Sequence, residues 1–463
     1  MDRASATRTT LFALLLVNFL NFFDRVIPAV VLEPIRKEFL LDDTMLGLLA
    51  TAFTLVYAVA GVPIGRLTDR VRRTWLLSGG VFVWSAMTAA SGAATNFTSM
   101  FLIRLGVGVG EATCAPVANS MIGDLYPAEK RSRALGVFML GLPLGTLVAF
   151  ALGGWLANHY GWRAPFYAAA VPGVLVAVFL LFRAEPVRGS QETYVVSNAP
   201  VTQPFRKVLG IRTLWWLTVS GALFNFAAYA LNTFLPSLLI RYHQATVAEA
   251  GIVGAIVFGL TGLVGLLIGG PVADRLHKTF AKGRLRLGAI CLIISAPLVW
   301  CGLAQPSGNL VVLTALIGGG WLLWFMYFVT VLPSVQDVVE PRLRGTAMSI
   351  FFFFQYVLGA GFGTLVTGLL SDRFATSAAR AVGAPEVTEA MKALGLQTAL
   401  ITVVPLALFL TSLAILAASR HFLADSAKAQ GLSMAHLPTN TPHPTAYRHS
   451  SLKTASNPRA EFK

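Results

Sequence analysis

Four ionisable side chains lie deep inside long apolar runs of this chain: Asp24 and Arg25 within residues 11–31, and Arg104 and Glu111 within residues 98–121. A charge held in a bilayer costs at least about 2.5 kcal/mol, so such residues mark ion pathways, proton relays or substrate sites. Two carboxylates beside an arginine suit proton transfer. A carboxylate takes up a proton more readily when desolvated and gives it up when a cation approaches, so a protein that alternates between those environments loads and unloads it. Arg104 and Glu111 are seven residues apart, two helical turns and about 10 Å of rise, which puts them on one face but out of bonding reach. Each needs a partner from another helix, and Asp24 and Arg25 are the remaining deep charges. A cluster of Asp24, Arg25 and Glu111 across the two runs is therefore expected, either as a proton site or as a static ion-pair network that only fixes packing. Pro28 leaves the Asp24 carbonyl without its helical partner, and Pro116 does the same for Ala112, next to Glu111. Bending beside the charges and ordinary membrane-helix kinking both fit these prolines.

The elements that carry these residues are legible from composition. Of 463 residues, 55% are apolar and only 12% charged, against about 25% charged in a soluble domain. Twelve runs are long enough for a spanning helix, near residues 11–31, 45–65, 75–94, 98–121, 134–156, 164–182, 213–240, 249–270, 286–304, 309–333, 345–370 and 396–418. The first is too long for a signal-peptide core and has no small-residue cleavage site after it, so it is expected to stay as the first span. Segments on the side of the chain ends carry 27 of the 36 Lys and Arg residues, the opposite loops 7. The positive-inside rule then places both termini in the cytoplasm, and it explains the net charge of +15 without nucleic acid. Cys114, Cys291 and Cys301 all fall in apolar runs and read as unbridged. The expected architecture is an all-α membrane protein with twelve transmembrane helices in two six-helix bundles: residues 1–182, a cytoplasmic linker over 183–212, residues 213–419, and a polar tail over 420–463 expected to be disordered.

A repeat supports the division. GRLTDR at 65–70, after the second span, returns as GPVADR at 270–275, after the eighth, and RSRALG at 131–136 is echoed by RLRGTA at 342–347. Parallel six-span repeats with a site between them are how one transporter class is built. GRLTDRVRR at 65–73 resembles the loop motif of the major facilitator superfamily, with Gly65, Asp69, Arg70 and Arg73 in place and Arg72 where a second glycine is usual. NFFDR at 21–25, RLGVGVGEA at 104–112 and DLYPAEKRSRALGVF at 124–138 are similar to the spinster branch. The resemblance covers about residues 9–419. It implies alternating access and an amphipathic lipid substrate of the lysophospholipid or sphingoid type, with proton coupling. The loop residues Asp69, Arg70 and Arg73, with Asp274 and Arg275 in the repeat, are expected to latch one bundle to the other; simple cytoplasmic placement of the basic residues is the plainer explanation.

If the family arrangement holds, helices one, four, seven and ten line the cavity. Asp24, Arg25, Arg104 and Glu111 would then handle protons and the headgroup, with Asn21 beside them. Asn225, Tyr229 and Asn232 form a polar stripe on the seventh span, and Trp324 stands in an aromatic tenth span; filling the bundle or facing lipid is the alternative for such aromatics. GxxxG spacings at Gly61/Gly65, Gly141/Gly145, Gly265/Gly269 and Gly359/Gly363 are expected where the bundles meet and move. GVGVG at 106–110 lies in an apolar span with no preceding strand, so it is no dinucleotide fingerprint. No P-loop, HExxH or metal-spaced Cys/His pattern occurs, so no enzyme, cofactor or metal is expected, and energy would come from the proton gradient. Partners are expected to be a lipid-like solute, protons and the bilayer, for a monomer in a bacterial inner membrane. The rival readings are a transporter of small organic anions or drugs and, in another class, a receptor or scaffold that moves nothing.

Overall fold

The structure, a computed structural model, describes residues 3–188, 190, 204–280, 282–340 and 343–429. They form helices throughout: α1 (Arg3–Val30), α2 (Leu32–Phe39), α3 (Asp43–Thr68), α4 (Arg73–Gly92), α5 (Phe97–Glu111), α6 (Cys114–Leu125), α7 (Ala128–Met139), α8 (Gly141–Tyr160), α9 (Ala164–Leu181), α10 (Pro204–Leu209), α11 (Arg212–Arg241), α12 (Val247–Gly254), α13 (Thr261–Thr279), α14 (Gly283–Leu303), α15 (Leu310–Asp337), α16 (Arg344–Phe354), α17 (Phe362–Ala381) and α18 (Glu389–Ala429). π-helical segments at Ala255–Leu260 and Gln355–Gly361 join α12 to α13 and α16 to α17. The last helix runs past the expected boundary at 419 to Ala429. The rest of the expected tail, 430–463, and residues 189 and 191–203 of the central linker lie outside the described residues.

Helix starts are set by side chains that satisfy the free N–H groups of the first turn. Asp42 accepts from the Met45 N–H at 2.7 Å ahead of α3, Asn96 and Ser99 form a capping box on α5, and Thr246 and Glu249 form one on α12. The fourth span is broken where Pro116 offers no N–H to the Ala112 carbonyl. There α5 ends at Glu111 and α6 begins at Cys114.

Eleven helical stretches among the described residues are long and apolar enough to cross a membrane, one fewer than the twelve expected. The difference is the third run, which forms α4. That helix buries Ser78, Ser85, Thr88 and Ser91 against the bundle and shows Phe82 and Val83 outward, so its hydroxyls lower its hydropathy while its outer face stays apolar. It packs on α5 and α9.

Helices α1–α9 pack mainly with one another, as do α11–α18. The two groups meet along α3 with the α16–α17 span and along α8 with the α12–α13 span. These meetings concentrate at one face of the molecule, the α2 face. There Gly154 and Gly251 bring α8 and α12 together so closely that a Cβ at Gly154 would lie 2.9 Å from the Gly251 Cα. Gly47 and Gly368 do the same for α3 and α17: added Cβ atoms would stand 2.6 Å from the Thr364 carbonyl oxygen and 2.2 Å from that of Asp43. The predicted GxxxG pairs behave otherwise. Gly141/Gly145 press on α1, Gly265/Gly269 on α15 and Gly359/Gly363 on α11, each inside its own half, and Gly61/Gly65 face open space.

Candidate functional site

The charges cluster where α1 meets the α5–α6 break. Arg25 donates to Glu111 Oε2 from Nη2 at 2.8 Å and from Nε at 3.0 Å, and to Asn21 Oδ1 at 3.2 Å. Its guanidinium lies 4.9, 5.1 and 4.6 Å from the ring centres of Phe22, Phe53 and Tyr57. Rings are favourable neighbours for a desolvated cation because their faces are electron-rich. Arg104 stands 5.0 Å from the ring centre of Phe53 and makes no ion pair among the described residues.

Asp24 is completely buried, and neither carboxyl oxygen has a hydrogen-bond partner among the described residues. The Trp84 indole lies beside it, and Arg104 and Glu111 are its charged neighbours. Glu111 is likewise fully buried, with Oε1 unpartnered. Thus Arg25 and Glu111 bond directly, while Asp24 and Arg104 flank them without closing the cluster. Among the described residues the second half has no counterpart at this depth; its buried Arg241 and His243 lie at the end of α11 and in the loop after it.

From the second half, Tyr229 comes close enough to Arg25 for the two to interact electrostatically. Its ring centre is 6.4 Å from that of Tyr356, which is 5.3 Å from Tyr57. Three phenols from α3, α11 and the π-segment therefore bridge the halves beside the arginine. Tyr356 belongs to the aromatic run FFFFQY at 351–356 that the sequence offers for the cavity, whereas Tyr57 escaped the sequence reading because a lone aromatic in an apolar run carries no periodic signal. Asn225 accepts from Gln355 Nε2 at 3.3 Å, also across to the π-segment, and Asn232 is half-buried on α11. Trp324 departs from its expected place on the cavity wall. It has no exposed surface and sits within the second half against Trp321 and Phe224, at 4.7 and 5.7 Å, because α15 turns its widest aromatics inward.

The loop motifs divide into two kinds of residue. Arg73 is buried and ties its own half together, bonding Asp124, Ser120 at 2.9 Å, Glu185 at 2.7 Å and the Pro186 carbonyl at 2.7 Å. It is no latch to the other half here. Asp69 and Arg70 are exposed, while Arg188 donates to the Thr68, Asp69 and Val71 carbonyls that end α3. In the repeat, Asp274 pairs with Arg284 at 2.8 Å, which also reaches Asp337 at 3.4 Å, and Arg275 is exposed. The repeat thus reproduces a bond within each half, Arg73 to Asp124 and Arg284 to Asp337.

The ionic ties between the halves are elsewhere, at the α2 face. Arg241 bonds Glu33 at 2.6 Å and Asp43 at 2.8 Å; Arg36 bonds Glu33 at 2.8 Å and Glu389 at 2.5 Å. All but Glu389 are buried. Asp43 also accepts from Ser371 at 2.6 Å, and Asp372 accepts from Thr44. These acids and bases lie near span ends, where charge is ordinary, and their pairing between distant helices gives no local signal in the sequence. At the same face but outside the spans, bonds from Arg163 and Trp162 hold the Glu38 carboxyl below its usual range. From Asp43 to Tyr57, α3 lies on the α16–α17 span; beyond, Val59, Val62 and Leu67 are exposed.

Comparison with known proteins agrees with this geometry. The family model described as Major Facilitator Superfamily matches residues 14–364. An MFS-type efflux pump of Mycolicibacterium smegmatis is 30% identical over 370 residues, covering 78% of this chain and 83% of that protein. Protein spinster homolog 1 of Homo sapiens is 29% identical, covering 77% and 71%. A crystal structure of a bacterial homolog of the human lysosomal transporter Spinster, inward-facing and unoccupied, superposes with a TM-score of 0.82 at 29% identity, covering 91% of this chain and 98% of that one. The chain belongs to the Major Facilitator Superfamily and is a transporter of its spinster branch.

Proposed function

We propose that this transporter moves a single-chain amphipathic lipid, of lysophospholipid or sphingoid type, by alternating access driven by the proton gradient. The observation that carries the reading is the wholly buried Asp24, with no close hydrogen-bond partner among the described residues, beside the Arg25–Glu111 pair. A buried carboxylate without bonds is held charged only by the field of its neighbours. A rearrangement that moves Arg104 or Glu111 therefore changes its proton occupancy. The headgroup would meet Arg25, Asn21, the phenols and the polar stripe that ends at Asn232, and the chain would lie along the apolar side chains of α11. No cofactor is required beyond the gradient.

On this reading α4 is the twelfth span, both chain ends are cytoplasmic, and the α2 face looks outward from a bacterial inner membrane. The halves, residues 1–182 and 213–419, rock as units about the site, in a monomer. Asp69 and Arg70, free here, would latch to the second half when the inner side closes, with Asp274 and Arg275 in the corresponding place. The test is flux in proteoliposomes under an imposed pH gradient, with lysolipids compared against aromatic acids. Gradient-driven lysolipid uptake that disappears in Asp24→Asn and Glu111→Gln is expected; undiminished flux in both variants would reject the proton role. Preference for aromatic acids would favour the second reading, small organic anions, which the Arg25–phenol arrangement also supports.

A further inference from the structure

Asp372, on α17 in the second half, accepts hydrogen bonds from the first turn of α3 in the first half. Its Oδ2 receives the Thr44 N–H at 2.8 Å and the Thr44 hydroxyl at 2.6 Å, and its Oδ1 receives the Asp43 N–H at 3.2 Å. A helix N-terminus carries unsatisfied N–H groups and a partial positive charge, so an acid supplied by another helix holds it by charge-assisted bonds. The contact is tight, because Gly368 lets α17 approach the Asp43 carbonyl.

The opposite end of the same helix pair is arranged the other way. Asp69, at the C-terminus of α3, is exposed. The first turn of α16, which opens the partner span, has no side-chain cap. Each of the two antiparallel spans thus carries an acid towards its C-terminal end that faces, or can face, the N-terminus of the other. Only the pair at the α2 face is engaged. The 26 residues of α3 put the two ends about 39 Å apart, too far for a rigid rocking motion to close both at once.

We infer that Asp372 is a positioning residue for the transport cycle: it closes the α2 face by capping α3, and it is the counterpart of Asp69, so that one cap must break before the other forms. This goes beyond the reading above, which gives a latch only to the loop motif, and it is independent of what is carried.

The experiment is double electron–electron resonance on the full chain in nanodiscs. Nitroxides are placed at Leu40→Cys and Val382→Cys for the α2 face and at Val71→Cys and Phe280→Cys for the opposite face. All four side chains are exposed, and the exposed Cys301 is replaced by serine. Asp372→Ala is expected to raise the ratio of α2-open to α2-closed molecules by about tenfold, the equivalent of one charge-assisted hydrogen bond. The distance at the opposite face should shorten in the same molecules. Asp69→Ala should shift the ratio the other way, and the double variant should return towards wild type. Asp372→Asn, which keeps an acceptor but loses the charge, should lie between. A purely structural role would loosen the protein without that restoration. Unchanged α2-face distances in Asp372→Ala and Asp372→Asn, or a double variant no nearer wild type than Asp372→Ala, would overturn the inference. If Asp372→Ala does not fold, Asp372→Asn and its double with Asp69→Ala decide on the same criteria.

Discussion

Among the buried charges, bonding and burial are distributed unevenly, and that separates two carboxylates with similar surroundings. Glu111 gives Arg25 two bonds. Removing its charge leaves a guanidinium inside the protein with a weaker partner, and breaking a buried pair costs about 3–5 kcal/mol at the upper end. Asp24 makes no ion pair or close hydrogen bond among the described residues; its nearest polar neighbour is the Trp84 indole. Replacing it with asparagine takes away a desolvated acid and keeps an oxygen that can still face the Trp84 indole. Thermal unfolding in detergent should therefore fall for Glu111→Gln and stay level or rise for Asp24→Asn, although both are expected to abolish gradient-driven flux. A midpoint that falls equally in both would mean that Asp24 has bonding partners in the folded protein.

Helices transmit the state of the site through a few close approaches, and these were only partly legible. The GxxxG spacings pointed to close packing, but spacing cannot say which neighbour is approached, since a helix has several faces and the partner lies hundreds of residues away. Single glycines such as Gly154 and Gly251, which have no such spacing in common, make the contacts between the halves. Gly251→Ala would place a methyl carbon about 2.5 Å from the Phe150 carbonyl oxygen, and real Cβ atoms do not sit so close; α8 and α12 must part. Nitroxide distances across the α2 face should lengthen in Gly251→Ala. Gly61→Ala meets nothing within 4 Å, so it should leave those distances unchanged.

For the molecule as a whole, composition and charge placement made the two-half membrane architecture legible, and the deep charges made half of the site legible. Asp24, Arg25, Arg104 and Glu111 stand out because lipid makes each one expensive. Tyr57 does not stand out, and neither does the α2-face closure, because its ions sit at span ends where charge is ordinary. Beside that closure, two residues after Arg241, stands a buried imidazole. His243, in the loop between α11 and α12, is 4% exposed, and neither ring nitrogen has a hydrogen-bond partner among the described residues. Tyr242 lies edge-on at 5.1 Å. Burial lowers its pKa from the ordinary 6.5, because the charged ring would have no water to solvate it. The sign follows from linkage: as pH falls below about 6.5, an open or unfolded loop takes up a proton that the closed one refuses, so acid weakens the closed form. One such group contributes at most about 1.4 kcal/mol per pH unit. Between pH 7 and the depressed value, wild-type stability should fall as acid is added, and His243→Gln should flatten that slope. The α2-face nitroxide distances should lengthen in acid over the same window in the wild type but less in the variant. Identical pH profiles for the two proteins would show that the ring is solvated and that the α2 face does not respond to acid through it.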